Sequence, residues 1–363
     1  MTLFISLTHN CQLRCSYCYA GTKYHKSISK ETILKSIEFI LSFPIKELTF
    51  GFFGGEPLLE WELLKFATYE MDREAEKRDI ILNKTFTTNG ILLDDKKVDW
   101  LREHAFYIVL SMDGNEQMHN KHRVYANMNS SFSDVRVALL SLQKVYTPKE
   151  YSVISVVTPQ NIAYLNESIK YLHQELNVKN IRLALNYFTE WGDETENYTK
   201  IYHMLGKYVI EQYRHNQEIT IDIIDEKILT QLEGCNSCSF GEMKIAVAPS
   251  GTIYPCERLI GEDSGDMSIG DVYNGFDFSK RNELIAQRGN SNEECKTCEL
   301  KERCTNSCGC TNYTLTNSIS TTNGVVCFFQ KLFIEVADEV ASTLYKEKNK
   351  MFLRKFYLNT NCC

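Results

Sequence analysis

The chain has 363 residues, 43% of them hydrophobic and 24% charged, with a formal net charge of −7. Such a composition supplies a large core and excludes fibrous and disordered classes, and the acidic balance argues against a general nucleic-acid binder. No apolar run reaches the roughly 18 residues of a membrane span, and MTLFISLTHN lacks the basic start of a signal peptide, so a cytoplasmic protein is expected.

In chain order, LFISLT (3–8), ELTFGFF (47–53), NKTFTTN (83–89), FYIVLSM (106–112), YSVISVVT (151–158) and IRLALNY (181–187) read as short apolar strands. Helical periodicity occupies 29–43, 58–77, 94–103, 132–145, 161–176 and 197–215. The first helix carries a capping signature, Ser29 with an early Glu31. Six strand–helix units in series imply a parallel sheet with helices outside. Six is two short of a closed barrel, so the expected fold class is α/β, a partial (β/α)6 barrel, with ligands at the carboxyl ends of its strands.

The composition changes after about residue 230. Residues 235–327 hold nine of the fourteen cysteines and are rich in Gly, Asn, Ser and Thr. Cytosolic thiols stay reduced, which favours ligation over disulfides and predicts a loop-rich domain organised by metal. Residues 328–348 read as an amphipathic closing helix, and the tail beyond them has no clear assignment. The expected divisions are 1–225, 226–330 and 331–363.

Cys11, Cys15 and Cys18 stand as C-x3-C-x2-C in the loop after the first strand. Thiolates suit iron–sulfur clusters and zinc. A structural zinc closes four ligands, for which only His9 is nearby; a [4Fe–4S] cluster on three cysteines leaves one iron open for a small molecule. In GFFGGEP, Gly54 and Gly55 permit close backbone approach, while Pro57 drives Glu56 to an extended conformation and can open a helix. FTTNG and LSMDG end the third and fourth strands. Thr88, Asn89, Ser111 and Asp113 there are either polar contacts or turn formers. Arg123 is either a carboxylate partner or a solvated side chain. The last third contains Cys235, Cys238, Gly251, Cys256, then CKTCELKERCTNSC (Cys295, Cys298, Cys304, Cys308) and Cys327; its C-x2-C pairs also suit zinc ribbons.

The first loop, with Tyr17 before its last cysteine, resembles the signature of the radical S-adenosylmethionine (SAM) superfamily, as does GGEP after the second strand. The later cysteines, with C-x12-G-x4-C from Cys238 to Cys256, resemble the SPASM extension of maturases of ribosomally made peptides and of anaerobic sulfatase maturases. The resemblance implies a [4Fe–4S] cluster on Cys11, Cys15 and Cys18 whose open iron takes S-adenosylmethionine, cleaved to methionine and a 5′-deoxyadenosyl radical. It places Tyr17 near the adenine, Gly54, Gly55, Glu56 and Pro57 at the amino group, and Arg123 at the carboxylate. Thr88 and Asn89, with Ser111 and Asp113, fall at the methionine and ribose. Two auxiliary [4Fe–4S] clusters are implied, one on Cys235, Cys238, Cys256 and Cys308, the other on Cys295, Cys298, Cys304 and Cys327. Cys310, Cys362 and Cys363 are left over, Cys310 as a buried thiol. Glu257 matches an acidic base of the sulfatase maturases, or is a surface carboxylate.

The expected activity is a radical modification, a thioether or carbon–carbon cross-link, in a ribosomally made peptide. Formylglycine formation is the alternative within the enzyme class. An electron-transfer or zinc-stabilised binding protein is the alternative outside it. Expected partners are a precursor peptide and an electron donor such as flavodoxin or ferredoxin; because only ten residues precede Cys11, leader binding is expected to fall to a separate protein, the barrel surface or the tail. Neither nucleic acid nor membrane is expected.

Overall fold

The computed structural model describes residues 1–233, 238–289, 291–304 and 308–358, so Cys235, Cys362 and Cys363 lie outside the described residues. The strands are β1 (Thr2–Ser6), β2 (Glu47–Phe53), β3 (Ile81–Thr88), β4 (Phe106–Ser111), β5 (Tyr151–Val157), β6 (Asn180–Leu185) and β7 (Thr220–Ile221). Four shorter ones follow: β8 (Lys244–Val247), β9 (Thr252–Tyr254), β10 (Gly270–Asp271) and β11 (Gly275–Phe276). The chain forms two compact units that alternate along the sequence. One holds Met1–Ser111, His122–Tyr151 and Ser239–Arg288; the other holds Met112–Lys121, Ser152–Cys238 and Gly289–Cys363.

In the first unit the strands run β11-β10-β9-β8-β1-β2-β3-β4. β8, β1, β2, β3 and β4 run parallel to one another, and β8–β9, β9–β10 and β10–β11 are antiparallel pairs. Leu3 and Ile5 of β1 and Leu48, Phe50 and Phe52 of β2 are fully buried. Helices Lys30–Ile40, Trp61–Lys77, Asp95–Glu103 and Phe132–Val145 bury Ile33 and Ile37, Leu64 and Met71, Val98 and Leu101, and Val135 and Leu139. Each such side chain contributes about 1.5–3 kcal/mol. Register aligns the carboxyl ends: Ser6 faces Phe53, and Thr88 faces Leu110. The loops after β1, β2 and β3 therefore leave the sheet on one side.

Ser29 caps the first helix as expected, its Oγ accepting from Thr32 N at 2.9 Å. The helix expected over 58–77 has a separate start, a 3₁₀ turn at Pro57–Glu60. Pro57 occupies its first turn, and Glu56 is extended at φ −127°, ψ 109° with its carboxylate capping Leu58 N.

In the second unit β5, β6 and β7 are parallel in that order. The closing helix, Gly324–Lys346, packs along Thr195–Arg214 through an aromatic ladder: Phe329 meets Trp191 and Tyr202, and Tyr202 meets Phe333. The tail, unassigned from sequence, forms turns at Lys350–Leu353 and Arg354–Leu358 that bury Phe352 and Phe356, with Lys355 ion-paired to buried Asp225. Among the described residues no helix is long and apolar enough to cross a membrane.

Candidate active site

The cysteine loop is stitched down by backbone bonds on several sides. Ile28 N donates to Leu7 O at 2.9 Å, Arg14 N to Val124 O at 2.8 Å, Gly55 N to Thr8 O at 2.8 Å and Glu56 N to Asn10 O at 2.8 Å. The glycine pair is where this loop comes down onto the end of β2. Gly54 has φ +118°, and a Cβ on Gly55 would stand 2.0 Å from Asn10 O. No other residue type tolerates both demands.

Cys18 N donates to Cys15 O at 3.0 Å, closing the turn between the last two cysteines. Cys11 Sγ accepts from Asn89 Nδ2 at 3.5 Å, and Cys18 Sγ accepts from Lys23 Nζ at 2.9 Å. Burial pushes the Cys11 thiol up, and the charge of Glu56 adds to the effect. His9 stacks on Tyr24 with ring centroids 4.6 Å apart, its Nε2 lying 4.0 Å from Asp263. It is engaged away from the thiols, against the reading of His9 as a fourth zinc ligand. Among the described residues no three His, Cys, Asp or Glu side chains converge on a single-ion position. Three thiols on one loop are soft donors of the kind that hold iron–sulfur clusters.

Glu56 is 1% exposed and links β2 to β3. Its carboxylate accepts from Thr88 Oγ1 at 2.8 Å, Asn89 N at 2.7 Å and Leu58 N at 3.1 Å. Burial raises its pKa to about 7, opposed by these bonds and by the charge of Arg123. Asn89 in turn reaches Cys11 and Gln12 Oε1. A chain of contacts thus joins Glu56, Asn89 and Cys11.

Arg123 is 7% exposed, which removes the solvated alternative. Its Nη1 donates to Tyr17 OH at 2.8 Å, and the Tyr17 ring lies 5.3 Å from His122. His122 Nδ1 is 2.6 Å from Ser16 Oγ. Ser111 is buried in the same unit, whereas Asp113 belongs to the second unit. There Asp113 accepts from Val156 N at 3.0 Å, and its carbonyl accepts from Ser155 Oγ at 2.7 Å.

Glu257 also lies in the first unit and is no surface carboxylate: its side chain is 13% exposed and pairs with Lys244 Nζ at 2.9 Å. Cys256 Sγ is 3.5 Å from its Oε2. Tyr19, next to Cys18, stacks on Phe53, and its hydroxyl pKa is raised by burial and by Glu257, with Cys18 and Cys256 also within electrostatic reach. β8, whose Lys244 pairs with Glu257, lies beside β1, and Thr22 and Tyr24 beyond the cysteines bond to Glu262, so the cysteine loop and the 256–262 segment lie side by side.

In the second unit, Cys295 and Cys304 belong to or border short turns, Glu293–Lys296 and Lys301–Arg303, that bury no residue. Cys308 caps Gly309–Thr316, its Sγ 3.3 Å from Thr311 Oγ1 and 3.6 Å from the Sγ of Cys310, which is buried as expected. Cys327 sits in the first turn of the closing helix.

Residues 5–172 match the radical SAM superfamily. Those residues carry a radical SAM domain. The chain is 25% identical over 321 residues to a cysteine-type anaerobic sulfatase-maturating enzyme of Clostridium perfringens, covering 82% of this chain and 85% of the relative. It is 22% identical to the PqqA peptide cyclase of Gluconobacter oxydans, covering 98% of each chain. Its fold is similar to the solved structure of native anSMEcpe with bound AdoMet and Cp18Cys peptide, at a TM-score of 0.80, 23% identity and coverage of 95% and 99%. The α/β architecture, with a parallel sheet, outer helices and C-terminal helices, agrees with the expectation. The family's cofactors are a [4Fe–4S] cluster and S-adenosylmethionine, and enzyme status sets aside the non-catalytic alternative.

Sequence reasoning did not single out Lys23, Ser16, His122, Tyr19 or Lys244 as neighbours of the site. His122 stands beside Arg123 in HNKHRVYANMNSSF, which was the one available signal. Its pairing with Ser16 emerges only once Arg14 meets Val124 across the loops.

Proposed function

We propose that this radical SAM enzyme oxidatively modifies a peptide side chain, installing a thioether or carbon–carbon cross-link in a ribosomally made precursor. The observation that carries the reading is that the cysteine loop and the 256–262 segment, with Cys256 and Glu257, lie side by side in one unit. When bound, the cluster and S-adenosylmethionine supply a 5′-deoxyadenosyl radical that removes a C–H hydrogen. Cys11, Cys15 and Cys18 would hold the cluster. Arg123 would pair with the carboxylate of the co-substrate, oriented by Tyr17, and Glu56 holds the end of β3 against the loop. Ser111 and Asp113 remain candidates for the ribose side. The cysteines of the last third would hold two auxiliary [4Fe–4S] clusters. Glu257, ion-paired with Lys244, would accept the substrate proton. A precursor peptide and a low-potential electron donor are the proposed partners.

Formylglycine formation on a sulfatase is the second reading. It is favoured by the acid directly after Cys256 and by the sulfatase-maturating relative. Both readings use Glu257 in one role, so one experiment tests both. Anaerobic reconstitution should give about 12 irons per chain. The wild-type enzyme and Glu257→Gln should cleave S-adenosylmethionine alike, with modified peptide from Glu257→Gln reduced on the order of 10²–10⁴-fold. An aldehyde on a cysteine-containing sulfatase peptide would select the second reading. Failure of the reconstituted enzyme to release 5′-deoxyadenosine with either peptide class would defeat both.

A further inference from the structure

Lys23 lies five residues beyond Cys18, and its Nζ donates to Cys18 Sγ at 2.9 Å. Among the described residues no carboxylate forms an ion pair with Lys23; the sulfur is the acceptor its ammonium takes. The segment that carries it is fixed on both sides. Gly21 adopts φ +65°, and a Cβ there would stand 2.7 Å from Glu262 Cγ. Thr22 N donates to Glu262 Oε1 at 3.1 Å, Tyr24 OH to Glu262 O at 2.9 Å and Lys26 Nζ to Asp263 at 3.2 Å. Lys23 is thus delivered to Cys18 by a clamped strap and is half-buried. The neighbouring cation of the loop, Arg14, is spent differently: its guanidinium bonds to the carbonyls of Cys11 at 2.7 Å and Leu13 at 2.9 Å. Asn89 brings Cys11 a neutral amide.

Hydrogen bonds to ligand sulfurs and the net charge around a cluster set its reduction potential. Reduction places one more negative charge on the cluster and its thiolates. A cation in contact with one of those sulfurs stabilises the reduced form more than the oxidised one, and partial burial strengthens the effect. We propose that Lys23 tunes the [4Fe–4S] cluster on Cys11, Cys15 and Cys18, raising its reduction potential by holding a positive charge on the Cys18 sulfur. Lys23 is a positioning residue. One electron arrives from a low-potential one-electron donor, Lys23 keeps its proton, and no bond to it is made or broken. The inference rests on the assignment of that cluster to those three cysteines.

The test is an EPR-monitored dithionite titration of the reconstituted full-length enzyme. The signal of a variant with Cys11, Cys15 and Cys18 all replaced by Ala is subtracted to isolate this cluster. Lys23→Met should move the potential to more negative values at unchanged iron content, and Lys23→Arg should restore most of the wild-type value. Equal potentials for wild type and Lys23→Met would overturn the proposal. If Lys23→Met fails to load iron, Lys23→Gln carries the same titration; if that variant also stays empty, Lys23 serves assembly and the tuning role is wrong. A wild-type signal identical to that of the triple variant would instead defeat the cluster assignment itself.

Discussion

The two cysteine-rich regions are built in opposite ways. The N-terminal loop is held by backbone bonds to β2 and the 122–125 segment, by a glycine pair that admits no side chain, and by Glu56 and Asn89 behind Cys11. The turns that carry Cys295 and border Cys304 bury no residue of their own, and Arg303, bonded to Asp338 and to Lys227 O, anchors the second of them. A site that needs one open coordination position must be shaped by the protein before metal arrives. A site whose ligands close around the metal can leave shaping to the metal.

The largest expected effect separates the two regions outright. Replacing Cys11, Cys15 and Cys18 by Ala should remove about a third of the iron and all 5′-deoxyadenosine formation, whereas Cys298→Ala should lose iron yet still cleave S-adenosylmethionine. Iron analysis and product chromatography check both; retained cleavage in the triple variant would sink the assignment. Next in size is Gly55→Ala. Its Cβ would collide with backbone, Asn10 O at 2.0 Å, so the loop must shift. We expect a loss of 1–3 kcal/mol or more in chemical denaturation, about the scale of backbone strain, and poor iron loading confined to the first site.

The smallest effect concerns Glu56. Burial raises its carboxyl from 4.5 to about 7, so the folded state favours the protonated form. That stability is fully present below about 4.5 and is lost as pH rises through about 7, about 1.4 kcal/mol of it between pH 6 and 8. Between pH 6 and 8 the melting temperature of the wild-type enzyme should fall with rising pH, and that of Glu56→Gln should fall less. Parallel curves would show that Glu56 stays ionised on its three donors.

Much of this was readable in advance where periodicity is long. β2 matches the expected 47–53, and the other strands from β1 to β6 agree within two residues at each end, because runs of buried apolar residues recur between helical stretches. β8 to β11 were not seen: they are two to four residues long, and their buried members, such as Ile245, Ile253 and Phe276, are scattered among glycines and polar residues. The tail escaped because its logic is non-local, Lys355 finding Asp225 and Thr220 far upstream. In the site, cysteines and glycines announce themselves by spacing. The grip of Glu56 on Thr88 and Asn89 does not, since those partners sit on a different strand.

β1 is flanked on one side by β2 and on the other by β8, with Thr2 opposite Lys244. During synthesis the first strand can therefore complete one neighbour early and must wait for most of the polypeptide before gaining the other. Until then an unpaired edge is presented to the ribosome's surroundings, the situation in which nascent chains recruit chaperones or stick to one another. Loading iron onto the adjoining loop after release, once both flanks are in place, would spare the cell a reactive cofactor on a half-made barrel wall.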